Sequence, residues 1–148
     1  MKAVTRSISN YYWSWRRYFQ TELASSYSLY YNPVGMPKPT DVDSWAIFLT
    51  GDYNPSLFTK VKSQIHCVAR EDEDSDELMD IVTDVVGVLD NPDTGLRSID
   101  FYDKPTAVII GKIWIEALKI RTQQPYDTGI SSVLIDIYTR VKTGRSNR

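Results

Sequence analysis

The chain has 148 residues, 42% hydrophobic and 24% charged, which suits one domain with a sizeable core and excludes a disordered tail. A formal net charge of −2 argues against wholesale attraction to nucleic acid or to a membrane surface. A single cysteine, next to the single histidine, excludes a disulfide framework and a zinc site of the usual kind.

Residues 5 to 23 read as a helix. Ile8, Tyr11, Tyr12, Trp15, Phe19 and Leu23 form one stripe, while Trp13, Arg16, Arg17 and Gln20 lie off it. Trp13 is therefore a candidate either for stacking on Arg16 or Arg17 or for anchoring a neighbouring subunit. Residues 24 to 43 show no usable period. Their prolines, with Tyr27, Tyr30 and Tyr31, suggest a long loop that orders against a partner. Residues 44 to 50 read as a strand apolar on both faces, with Trp45, Ile47 and Leu49 opposite Ala46 and Phe48. Such a strand is covered on both sides or meets a partner.

Residues 58 to 70 alternate. Val61, Ile65, Cys67 and Ala69 point one way, and Lys60, Lys62, Gln64, His66 and Arg70 the other. An acidic run from Glu71 to Glu77, including Asp72 and Glu73, leads into a helix whose stripe is Leu78, Ile81, Val82, Val85 and Leu89. Asp74 and Glu77 have capping-box spacing. A short strand is expected at residues 99 to 102 and a turn at Gln124 to Gly129. Two long strands, residues 107 to 122 and 131 to 142, should form a hairpin longer than one small core can cover. On the first, Ile109, Ile113, Ile115 and Ala117 oppose Lys112, Trp114, Glu116 and Leu118. Trp114 and Leu118 are thus candidate subunit contacts. The expected fold is α+β: a mostly antiparallel sheet of about four to five strands, with an N-terminal and a central helix on one face. Residues 1 to 148 form one domain with a frayed basic tail at 143 to 148.

The longest apolar run, near residues 107 to 120, is interrupted by Lys112, Glu116 and Lys119, so no membrane span is expected. No signal peptide is expected either, which places the protein inside a cell or in something assembled there. No Gly-rich phosphate loop, nucleophile elbow or metalloprotease motif occurs. His66 and Cys67 alternate onto opposite faces and cannot act as a nucleophile–base pair. Like-charge repulsion from Lys60, Lys62 and Arg70 should lower the pKa of His66. The basic stripe of Lys60, Lys62, His66 and Arg70 could touch phosphate. With the acids Glu71, Asp72 and Glu73 it could equally form complementary subunit surfaces or a charged lumen. No catalytic residue, metal or cofactor is expected.

The W-A-I-F-L strand at Trp45 to Leu49, the K-V-K-S-Q-I-H-C-V-A-R strand at Lys60 to Arg70, the D-E-L-M-D-I-V-T-D-V-V helix at Asp76 to Val86 and the S-V-L-I-D-I-Y-T-R-V strand at Ser132 to Val141 follow an N-terminal helix and long loop. This layout resembles the tail-terminator (tail-completion) proteins of long-tailed bacteriophages over roughly residues 3 to 142. The resemblance implies a structural virion protein without catalytic residues. Subunits form a hexameric ring that caps the tail tube and meets the head-completion or neck protein, with DNA passing through the lumen unrecognised. A head-completion or neck adaptor is the alternative, and a small enzyme or ligand-binding domain a third reading.

Overall fold

In a computed structural model, residues 8–23, 26–31, 43–54, 59–70, 75–91, 95–127 and 129–143 are described. Helix α1 (Ile8–Glu22) is followed by β1 (Ser28–Tyr30), β2 (Ser44–Asn54) and β3 (Thr59–Arg70). Helix α2 (Asp76–Leu89) leads into a small two-stranded sheet of β4 (Asp90–Asn91) and β5 (Gly95–Leu96). Then come β6 (Ser98–Asp103), β7 (Val108–Ile120), β8 (Gln124–Asp127) and β9 (Ile130–Thr143).

The main sheet has the order β1-β2-β3-β9-β7-β6, with β8 also pairing β9. It curls into a half-barrel, and the described chain is mostly β with two helices. The expected α+β fold with four to five mostly antiparallel strands is therefore corrected. Two strands hid in stretches rich in turn residues. β1 lies in the tyrosine-rich segment taken for a loop and pairs parallel to β2, which makes the sheet mixed. β8, the Q-P-Y-D segment read as a turn, pairs with β9 beyond the point where β7 ends. Neither has an amphipathic period of its own, because three or four residues are too few to show one.

The long hairpin of β7 and β9 pairs Gly111 with Thr143 through to Ile120 with Ile135. β7 carries two irregularities. Phe101 pairs with Gly111 and Tyr102 with Ile109, which leaves Ile110 over. Ile115 pairs with Thr139 and Ala117 with Tyr138, which leaves Glu116 over. Each extra residue moves the next side chain to the other face. Leu118 therefore packs against the main core, whereas Trp114 stays on the outer face. This corrects the expectation that the two share a face.

The main core lies between the concave sheet face and both helices. It unites Tyr11, Trp15 and Phe19 of α1, Leu78, Ile81 and Val85 of α2, and Ile65, Cys67, Ile113, Ile135 and Ile137 of the strands. Trp15 stacks on Phe19 at 5.2 Å and packs near Phe48 at 5.8 Å. One buried polar chain crosses this core. Thr139 Oγ1 donates to Val61 O, so the Tyr11 hydroxyl donates to Thr139 Oγ1 at 2.7 Å and accepts from Ser63 Oγ at 2.8 Å. That chain fixes α1 to the two central strands.

Off the predicted α1 stripe, Asn10 and Ser14 are buried. They face the β6 edge: the Tyr102 amide donates to Ser14 Oγ at 2.8 Å and the Lys104 amide to Asn10 Oδ1 at 2.9 Å. Helix α1 thereby satisfies and covers an edge that would otherwise be open to pairing. The expected Asp74–Glu77 capping box involves a residue outside those described, Asp74. The N-cap of α2 is Ser75, left-handed at φ 62° and without a side-chain cap bond. No described helix is long and apolar enough to cross a membrane. The residues of the expected frayed tail beyond Thr143 lie outside the described residues.

Candidate functional site on the outer sheet face

The strand alternation that sends Val61, Ile65 and Ile135 into the core sends their neighbours to the convex face. At one end this face is apolar. Trp45, Ile47, Val68 and Ile130 form a second buried cluster, joined by Tyr30, Leu49 and Tyr126. Both faces of β2 are thus covered within the subunit. Arg70 lies over the Trp45 ring at 5.3 Å.

In the middle of the face sits Asp136, whose side chain is fully buried. Arg121 reaches its Oδ2 through Nε at 2.9 Å and Nη2 at 2.8 Å. Gln64 Nε2 donates to Oδ1 at 3.0 Å, and Lys62 Nζ lies 3.9 Å from Oδ2. Burial alone would raise the Asp136 pKa. The hydrogen bonds from Arg121 and Gln64 and the charge of Lys62 outweigh it and hold the carboxyl below the usual range. Lys62 also lies over the Tyr138 ring at 5.7 Å.

At the far end the face is open and basic. Pairing places Lys60, Arg140 and Trp114 in one row across β3, β9 and β7. Lys62 and Tyr138 form the next row, and Lys112 pairs with Lys142 on the other side. Trp114 is 44% exposed and Tyr138 36%. Two surface carboxylates are matched: Asp100 to Lys112 at 2.7 Å and Glu116 to Arg140 at 3.3 Å.

The other predicted site residues lie elsewhere. Trp13 is half-buried, edge-on to Tyr102 at 5.8 Å, with Arg17 over both rings. The Tyr27 hydroxyl donates to Asp84 of α2, and burial followed by this bond raises its pKa. Tyr31 lies under Arg16 at 5.0 Å and edge-on to Tyr12 at 6.1 Å. These aromatics are engaged within the subunit. Glu71, Asp72 and Glu73 lie outside the described residues. The lowered pKa of His66 comes from burial, not from the like-charge repulsion expected. Burial pushes the Cys67 thiol up to about 12.

Sequence reasoning missed Asp136 as the hub of this face, although an acid inside the V-L-I-D-I strand was its visible signal. It also left Tyr138, Arg140 and Lys142 off the candidate list, because only pairing across β9 brings them beside Lys60 and Trp114. Among the described residues no group of three or more His, Cys, Asp or Glu could hold a metal. An open cleft of about 150 Å³ between α1 and β6, lined by Ser14, Arg17, Tyr18 and Tyr102, is smaller than typical small-molecule sites of roughly 300 Å³ and more. No protein-family model matches the chain, and no curated protein matches it.

Proposed function

We propose that the protein is a structural subunit of a homo-oligomeric ring, a tail terminator that caps the tail tube of a long-tailed bacteriophage at the head neck. The observation that carries the oligomeric part is an apolar end on the subunit. The Asn10–Lys104 bond puts the start of α1 beside the β6–β7 turn. At that end Ile8, Val108 and Ile109 are 48%, 56% and 53% exposed. Single exposed apolar residues are ordinary, but three at one end favour an interface. Because α1 already occupies the β6 edge, subunits would meet there through side chains, not through strand addition. A head-to-tail arrangement that closes on itself covers such an end on every copy. The phage assignment rests on the layout of strands and helices given above.

Native mass spectrometry tests the reading. The expected result is one closed oligomer, six copies by the resemblance. Val108→Asp with Ile109→Asp should reduce it to monomers with an unchanged circular dichroism spectrum, since both positions are exposed. A wild-type monomer at all concentrations would overturn the reading.

A further inference from the structure

We propose that the outer sheet face around Trp114 and Tyr138 binds a single-stranded nucleic acid. This inference stands on that face alone and does not depend on the ring reading. Six cations converge there from three strands: Lys60, Lys62, Lys112, Lys119, Arg140 and Lys142. Among the described residues the surface carboxylates beside them are Asp100 and Glu116, since Asp136 is buried beneath Arg121. The face is therefore cationic although the chain as a whole is not. The four acids of α2, Asp76, Glu77, Asp80 and Asp84, are on the helix that packs against the opposite face of the sheet.

The aromatic pair gives the ligand its class. Trp114 pairs with Arg140, two residues from Tyr138 on β9, so the two rings sit diagonally on neighbouring strands. Diagonal neighbours on a sheet face lie roughly 7–8 Å apart. Two exposed rings on an open, convex sheet face, with cations before, between and after them, match the way sheets stack successive unpaired bases while lysines track the phosphates. A duplex hides its base faces and would use only the cations. An acidic protein surface is the less favoured occupant, because five of the six cations are lysine and protein interfaces are depleted in lysine.

Fluorescence anisotropy with a labelled 20-residue oligothymidine, beside a duplex of equal length, tests the proposal on the full chain. At 50 mM salt the single strand should bind more tightly than the duplex. With about four phosphates neutralised, affinity should fall roughly 50-fold between 50 and 200 mM salt. Trp114→Ala and Tyr138→Ala should each weaken binding by about tenfold or more. Lys60→Glu with Lys142→Glu, both exposed positions, should weaken binding and flatten the salt dependence. Unchanged melting temperatures would show that these variants fold. Absence of binding at 50 mM salt overturns the proposal, as does equal binding of single strand and duplex, or affinity indifferent to the aromatic or lysine changes. Loss of self-association in the lysine variant without loss of oligothymidine binding would instead make this face an interface between copies.

Discussion

Replacing Asp136 by Asn removes one charge from the best-connected polar group of the sheet. The carboxylate is wholly buried and accepts hydrogen bonds from Arg121 Nε at 2.9 Å and Gln64 Nε2 at 3.0 Å, with Arg121 Nη2 also 2.8 Å from Oδ2. Removing one partner of a fully buried ion pair costs about 3–5 kcal/mol. Here Arg121 and Lys62 keep 38% and 30% of their side-chain surface exposed, so water can take back part of their charge. Asn also keeps one acceptor oxygen, but turns an NH₂ toward a donor and forfeits a charge-assisted bond worth about 1.5–3 kcal/mol. The expected loss is about 2 kcal/mol at pH 7. With a urea dependence of about 2 kcal/mol per molar, the unfolding midpoint falls by about 1 M. The acid response gives the second readout. Because the folded pKa lies below the unfolded value of about 3.9, the Asp136 contribution is complete above about pH 4 and is lost as pH falls through the folded pKa. Wild type and variant should converge on acidification. An unchanged midpoint at pH 7, or a gap that stays constant at low pH, refutes this account of the network.

Ser14→Ala should cost about 1–3 kcal/mol, read by thermal melting, because it orphans the Tyr102 amide at the β6 edge. Gly51→Ala should destabilise by about 1–3 kcal/mol, since a Cβ there would sit 2.4 Å from the Lys62 carbonyl oxygen. His66 is the only histidine, and burial lowers its pKa. Its neutral form favours the fold, so its contribution is complete above the unfolded value of about 6.5 and is lost as pH falls toward the lower folded pKa. His66→Gln should abolish that part of the pH dependence of urea unfolding. Cys67, buried with its thiol pushed up to about 12, should resist a thiol reagent at pH 8 until the protein unfolds.

The sequence by itself determined the long elements. The stripes of α1 and α2 and the alternation of β3 and β9 are properties of single segments, and a dozen residues repeat a period often enough to reveal it. That both faces of β2 are apolar was legible too, but only the fold decided that the subunit itself, and not a partner, covers them. Tertiary structure decided what segments do to each other. β1 and β8 exist as strands because β2 and β9 offer them unpaired backbone, and their own three or four residues carry no period. The irregularity at Glu116, which turns Leu118 inward and leaves Trp114 outward, is a matter of pairing between β7 and β9. Asn10 and Ser14 are no part of the apolar stripe of α1, yet they are buried because the edge of β6 supplies amides that donate to them. The candidate site shows the same division. Lys60, Arg140 and Trp114 come from three distant parts of the chain, and only the register of β3, β9 and β7 sets them in one row on one face.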